Sequence, residues 1–395
     1  MSPTLVVVLL SLLLGLQPAA TDLYLPALPA IVVQLDGTIA QAQLTLSGML
    51  LAFGLSQLIW GPVSDRYGRR PVLLLGVSGY AMGALGAALA PTMEWLVIWR
   101  ILQGAAMGSA VVCGRAIIRD LYAGDHGARV MSKGLSGLGT IACISAPLGS
   151  LIAAALGWRA AMSVLVVLGV ATLAMVAWRL DETLKQPDPR ALQPGPMARN
   201  WLQILRHPTF WAFTLLAATS YGALFTVLAT SSFVMIDIIG VSQTAYGLQM
   251  ATMSGCYIAG TVLCRRLLLR LGVQRTVILG GALSLTGGVL LAALTALGYQ
   301  TAWSVLLPIY IVILGHGIHQ PCGQSGAVSP FPRAAGVAAA LSGCLMTLTA
   351  FGTGLWLGQR MDGTVHALAY GIGFWGVVTA LVAWGPVQWL GRARP

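Results

Sequence analysis

Charge is the scarcest property of this chain. Only 8% of its 395 residues are Asp, Glu, Lys or Arg, against 57% hydrophobic residues, and the mean hydropathy is +0.82. A soluble domain carries roughly 25% charged residues, so a water-facing globule is excluded. Acids are rarer than bases, eleven in all. No phosphate-binding loop of the form G-x-x-x-x-G-K-[ST] occurs, so the chain holds no visible means of using ATP. Neither H-E-x-x-H nor a recognisable nucleophile with its base is present, so no enzyme chemistry is legible. The six cysteines, Cys113, Cys143, Cys256, Cys264, Cys322 and Cys344, contain no C-x-x-C pair and all sit within or at the ends of apolar runs. They read as small packing residues, not as a disulfide framework or a metal-ligand set. No cofactor and no metal is expected.

What the chain has in abundance is apolar runs of membrane-spanning length, about 20 residues. Twelve are counted, over residues 5–33, 44–63, 72–90, 95–118, 131–156, 158–178, 210–234, 246–263, 277–297, 302–321, 335–357 and 367–389. The expected class is an all-α membrane protein whose environment is the lipid bilayer. A net charge of +11 raises the question of a nucleic-acid partner, but that needs a basic face on a soluble domain, and here the cations lie between spans. They set topology instead. With the N-terminus inside, only Arg159 and Arg360 of the 22 Lys and Arg residues fall in outer loops, and Arg100 lies inside a span. The positive-inside rule then places both termini in the cytoplasm. The first run is read as a span and not a cleaved leader, because no Lys or Arg precedes it and its removal leaves an odd count.

Between Asp181 and Arg206 the composition turns polar, with Lys185, Pro187, Pro189, Pro194 and Pro196. The chain therefore divides into a six-helix bundle over 1–180, a cytoplasmic linker over 181–207 and a second bundle over 208–395. Within the linker, residues 201–208 place apolar side chains beside cations; a short interfacial helix and an ordinary polar loop fit that window equally. Two six-span halves suggest an internal repeat, and repeats of this kind put a substrate site where they meet near the bilayer midplane.

One acid stands apart from the polar connectors. Asp22 lies in Gln17-Pro18-Ala19-Ala20-Thr21-Asp22-Leu23-Tyr24-Leu25-Pro26, where an ionised carboxylate is costly and is retained for proton or substrate handling more often than for stability. Arg100 is the matching cation. It sits about 8 Å along its helix from Trp95 at 1.5 Å per residue, a depth comparable with Asp22 in the outer half of the first span, so the two are expected to face each other. A neighbouring guanidinium favours an ionised carboxylate and burial favours the neutral form, a balance that leaves Asp22 switchable. Gln103, one turn on, is placed to bond either group. The plainer alternative is that Arg100 snorkels outward and Asp22 faces outer water.

The loop after the second span reads Gly61-Pro62-Val63-Ser64-Asp65-Arg66-Tyr67-Gly68-Arg69-Arg70-Pro71. It resembles the signature G-x-x-x-D-R-x-G-R-R/K of the major facilitator superfamily. Arg100-Ile101-Leu102-Gln103-Gly104 is similar to a second signature of that family, R-x-x-Q-G, and Ala146-Pro147-Leu148-Gly149-Ser150 to its exporter-associated motif G-P-x-x-G-G. Ala146 and Ser150 replace two of that motif's glycines, which leaves Pro147 and Gly149 as the helix-bending elements. Thr21-Asp22-Leu23-Tyr24-Leu25-Pro26-Ala27-Leu28-Pro29, Arg119-Asp120-Leu121-Tyr122 and Gly157-Trp158-Arg159 resemble the bicyclomycin and chloramphenicol/florfenicol resistance branch of the drug:proton antiporters. The likeness is confined mainly to the first half.

This resemblance implies a major facilitator fold of twelve helices in two pseudo-symmetric bundles. The implied activity is proton-coupled efflux of small amphipathic drugs, amphenicol-type antibiotics among them, by alternating access in the bacterial inner membrane. It also implies a monomer. Asp22 and Arg100 become the proton-coupling pair. Gly61, Asp65, Arg66, Gly68, Arg69 and Arg70, with Arg119 and Asp120, become a conformational latch centred on Asp65. Candidate substrate contacts are Asp22, Tyr24, Arg100 and Gln103 in the first half. In the second they are Tyr221 and Phe225, Met253 and Tyr257, each pair four apart, with ordinary packing an equal reading, and His319. His316 and His319 share a helix face and admit three readings: a metal site with Cys322, cavity lining, or helix-end hydrogen bonding. Two other functions stay open: a specific metabolite or siderophore exporter on the same scaffold, and an intramembrane metal-dependent enzyme using those histidines.

Overall fold

The structure, a computed structural model, describes residues 2–122 and 124–391; Arg392 and Arg394, two of the C-terminal cations counted above, lie outside the described residues. Every described element is helical. In chain order they are α1 (Pro3–Asp22), a short turn (Leu25–Ala27), α2 (Leu28–Gln34), α3 (Ile39–Tyr67), α4 (Arg69–Ala88), α5 (Met93–Leu121), α6 (Gly124–Leu156) and α7 (Trp158–Arg179), then α8 (Pro194–Leu205) in the linker. There follow α9 (Pro208–Ser232), closed by a wide π turn at Phe233–Ile238, α10 (Gln243–Ala296), α11 (Ala302–Val328), α12 (Ala335–Arg360), α13 (His366–Trp384) and α14 (Pro386–Leu390).

Among the described residues, eleven helical stretches are long and apolar enough to cross a membrane. One of them, α10, has 54 residues, about 80 Å at 1.5 Å per residue against a hydrocarbon core of about 30 Å. Gly272 divides it, with φ 73° and ψ 175°, a conformation that only glycine adopts without strain. Residues 243–271 and 273–296 are thus separate spans, and the total is twelve. The chain is a multi-pass membrane protein.

Proline fixes where the first span is interrupted. A helix continuing past Asp22 needs N–H groups at Pro26 and Pro29, which have none, so α1 stops at Asp22, turns through Leu25–Ala27 and restarts as α2. Elsewhere proline is tolerated: α11 runs through Pro308 and Pro321 to Val328, seven residues beyond the boundary expected at Pro321. Bundle neighbours and small residues accommodate the missing bonds. The linker resolves an open alternative as well, because residues 194–205 form a helix and only 206–207 break it before α9.

The chain forms two compact units, Met1–Ala198 and Arg199–Pro395. In the first, Val6, Leu10 and Leu14 of α1 meet Val111 and Ile118 of α5 and Val130 of α6 in one apolar cluster. Glycine sets the closest approaches: a Cβ at Gly104 or Gly108 of α5 would strike Met49 or Ser56 of α3. Small residues at such crossings let backbones touch where lipid supplies no net apolar drive. In the second unit Ala217 and Ala218 of α9 pack on Met346 of α12, with Tyr221 against them.

Candidate functional site

The end of α1 is built around Arg100. A helix leaves its last four carbonyls without intrahelical partners. Arg100 Nη2 donates to one of these, the Ala20 carbonyl, at 2.6 Å, and Nη1 donates to Gln103 Oε1 at 2.7 Å. The guanidinium also lies 4.3 Å from the centroid of the Tyr24 ring, and Tyr24 Oη meets Thr45 Oγ1 of α3 at 2.7 Å. Arg100 is 0% exposed. It therefore acts as a buried cap on the negative end of the α1 dipole, steadied by a ring face.

Asp22 is not its partner. Among the described residues the only ion pairs are Arg69 with Asp65 and Arg69 with Asp120, so the expected facing of Asp22 and Arg100 is corrected. The physical reason is that the proline-terminated helix offers Arg100 a backbone acceptor two residues before Asp22. Asp22 is half-buried, and its carboxylate accepts the Thr21 hydroxyl at 2.8 Å. Cys143 of α6 is within electrostatic reach of it. On the same helix, a Cβ at Gly149 would collide with the Leu23 carbonyl, so Gly149 is where α6 lies directly on the end of α1. Pro147 is inside α6 two residues earlier. An acid with no fixed counter-ion is free to change its charge with what surrounds it.

The residues expected to form a latch gather on Arg69, which is 2% exposed. Its Nη1 donates to Asp65 Oδ1 at 2.6 Å and to Ser64 Oγ at 2.7 Å, and its Nε to Asp120 Oδ2 at 3.0 Å. Gly68 makes the turn at φ 101°. Arg66 lies over the Tyr67 ring at 5.4 Å and Arg70 Nη2 donates to the Ala177 carbonyl at 2.9 Å. A Cβ at Gly61 would sit 3.8 Å from Val112 of α5, ordinary contact. Arg119 is exposed and in neither ion pair, so Asp120 alone of that dipeptide joins the cluster.

The linker supplies a residue that sequence reasoning passed over. Glu182 Oε1 accepts the backbone N–H groups of Arg69, Thr183 and Leu184, each at 2.9 Å, and Oε2 accepts that of Arg70 at 3.1 Å. One carboxylate thus satisfies the first amides of α4 and folds the linker back on itself. Thr183 Oγ1 reaches Asp120 Oδ2 at 3.3 Å and Asp188 N–H reaches the Asp65 carbonyl at 3.0 Å, which straps 182–188 across the Arg69 cluster.

The residues named for a wall in the second unit differ in burial. Phe225 and Met253 are buried, as are Tyr24, Gln103 and His319, while Tyr221 is half-buried and Tyr257 exposed. Four-residue spacing gave a shared face, but on α9 that face turns inward at Phe225. His316 Nδ1 is 2.9 Å from Ser220 Oγ and its ring is 5.6 Å from that of Tyr257. His319 lies against Gly280, and neither ring nitrogen completes a hydrogen bond of good geometry, although the Val277 backbone bears on the ring. Among the described residues no group of three or more His, Cys, Asp or Glu side chains is placed to hold a metal ion.

Residues 10–355 match the profile of the Major Facilitator Superfamily. The chain belongs to that family. Its relatives include the "Chloramphenicol resistance protein" of Pseudomonas aeruginosa, 31% identical over 82% of this chain and 76% of the relative. Others are the "Bicyclomycin resistance protein homolog" of Haemophilus influenzae, 28% identical over 85% and 84%, and the "Multidrug resistance protein D" of Escherichia coli, 28% identical over 86% and 85%. Among solved structures, that of a D-xylose–proton symporter superposes with a TM-score of 0.74 at 19% identity, covering 97% of this chain and 96% of the other. The facilitator fold, the family and the resemblance to the drug-resistance branch read from the signatures all stand. In this facilitator the signature arginine of α5 serves the end of α1, and the signature loop is closed by Glu182, outside the signature.

Proposed function

We propose that this facilitator exports small amphipathic drugs in exchange for protons, by alternating access of two halves, 1–180 and 208–395, joined by the linker 181–207. In this reading it works as a monomer in the bacterial inner membrane with both termini in the cytoplasm. The names carried by its relatives support the cargo class, and the segregation of cations supports the orientation.

The observation that carries the reading is the state of Asp22: an acid at the broken end of a membrane span that accepts the Thr21 hydroxyl and, among the described residues, has no ion-pair partner. Arg100 directs Nη2 to Ala20 and Nη1 to Gln103 and leaves its buried Nε without a partner, so it holds the end of α1 without an ion pair to Asp22. Proton and cargo then compete for Asp22: the acid takes a proton when open to the outside and gives it up when drug enters from the cytoplasm. A gradient drives the cycle, its electrical part worth about 2.3 kcal/mol per charge per 100 mV. In the same reading the strap over Arg69, Asp65 and Asp120 holds the cytoplasmic end of the first half and releases as the halves move.

The test is a resistance panel in a pump-deficient host with amphenicols, bicyclomycin and lipophilic cations, paired with counterflow in proteoliposomes. Raised resistance with exchange of unaltered drug is expected. No change for any compound, or exchange of a single metabolite only, overturns the drug reading.

A further inference from the structure

Two of the six cysteines touch. Cys264 on the first arm of α10 and Cys322 on α11 are 1% and 3% exposed, free, and separated by 3.7 Å between sulfurs. Close backbone packing brings the two helices together beside this pair. One turn before Cys264, a Cβ at Gly260 would lie 2.6 Å from the Leu314 carbonyl oxygen, and a Cβ at Gly317 would lie 2.7 Å from that of Tyr257. The two helices are therefore in backbone contact beside the thiols, and neither can shift without opening that crossing.

The chemistry follows from the spacing. Soft thiolates select thiophilic centres. With bonds of about 2.3 Å, the length of a zinc–thiolate bond, a gap of 3.7 Å closes at an angle of about 107° at the bridging atom. A linear two-coordinate ion does not fit that angle. A tetrahedral cation needs at least a third protein ligand, and no third His, Cys, Asp or Glu joins the pair among the described residues. A pyramidal trivalent arsenic bearing one organic group meets both limits, since it takes two thiolates at a bent angle and brings its own third substituent. We propose that Cys264 and Cys322 form a dithiol site for trivalent organoarsenicals, RAs(OH)2, whose occupation ties α10 to α11. Two As–O bonds break and two As–S bonds form. Each thiol proton leaves with a hydroxide as water, and arsenic stays trivalent, so no oxidant or reductant takes part.

The test uses the full-length protein in detergent with phenylarsine oxide, read by intact mass. One phenylarsenic per chain is expected, retained against a monothiol and removed by 2,3-dimercaptopropanol. It should be absent from Cys264→Ser, Cys264→Ala, Cys322→Ser and Cys322→Ala, and present when Cys113, Cys143, Cys256 and Cys344 are all changed to serine. In the wild-type protein the adduct should shield both Cys264 and Cys322 from N-ethylmaleimide added after denaturation, a readout independent of how the variants fold. An adduct that survives loss of either cysteine, leaves either thiol unshielded, or fails to form on folded protein whose thiols react once unfolded would overturn the proposal.

Discussion

Replacing Arg100 by lysine, alone and together with Asp22→Asn, separates the two roles that the guanidinium could have. Lysine keeps the charge but is a compact donor that does not reproduce the planar fork. It cannot serve the Ala20 carbonyl and the Gln103 amide oxygen, at 2.6 and 2.7 Å, in the same geometry. One buried acceptor is stranded, at about 1–3 kcal/mol. Asparagine at position 22 keeps an oxygen for the Thr21 hydroxyl. Because lysine retains the charge, long-range attraction to Asp22 is nearly constant around the cycle, and only direct contact survives in the coupling term. Sites that share no partner add within about 0.5 kcal/mol, whereas breaking a buried ion pair costs about 3–5 kcal/mol. Unfolding titrations with SDS in mixed micelles should therefore show Arg100→Lys destabilised by about 1–3 kcal/mol and a coupling within about 0.5 kcal/mol of zero. A coupling of 1.5 kcal/mol or more, on the order of measured contact pairs, would refute the reasoning and restore the direct pair.

The Arg69 cluster and the α1–α6 contact give three further tests. Glu182→Ala removes the acceptor for four backbone N–H groups and should cost about 1–2 kcal/mol, the scale of a lost helix cap. Hydrogen exchange should speed up at the Arg69 and Arg70 amides, with Glu182→Gln intermediate; unchanged exchange there counts against the cap. Arg69→Ala strands two carboxylates and a hydroxyl around a side chain that is 3% exposed, and should lose about 3–5 kcal/mol. Asp65→Asn, at a side chain 44% exposed, should lose about 0–1 kcal/mol, and equal losses in thermal unfolding would place the weight of the cluster elsewhere. Gly149→Val drives a branched side chain into the Leu23 carbonyl and should cost about 1–3 kcal/mol of overpacking; an unshifted unfolding midpoint would mean that α6 does not lie against the end of α1.

Span number and family were legible because both rest on local signals: apolar length, cation placement and short signatures. Gly272 was legible only indirectly, through the cations Arg265 to Arg275 that flank it. Side-chain partners were less so. Depth along a helix follows from residue count, which placed Asp22 and Arg100 at similar levels, but the direction each side chain takes around its axis does not. Pro26 and Pro29 carried the missing signal: they end α1 at Asp22 and expose carbonyls that a guanidinium can cap. Glu182 went unseen because its partners at Arg69 and Arg70 are 113 and 112 residues away and a linker carboxylate looks like ordinary polar chain. Cys264 and Cys322, 58 apart, touch only through the register of two packed helices.

Drug-triggered release of protons from purified protein in lightly buffered detergent probes Asp22 most directly, with Asp22→Asn beside the wild type at matched folding and drug affinity. The account predicts acidification on adding drug to the wild type and none with the asparagine variant. Proton release of equal size from both proteins would contradict it.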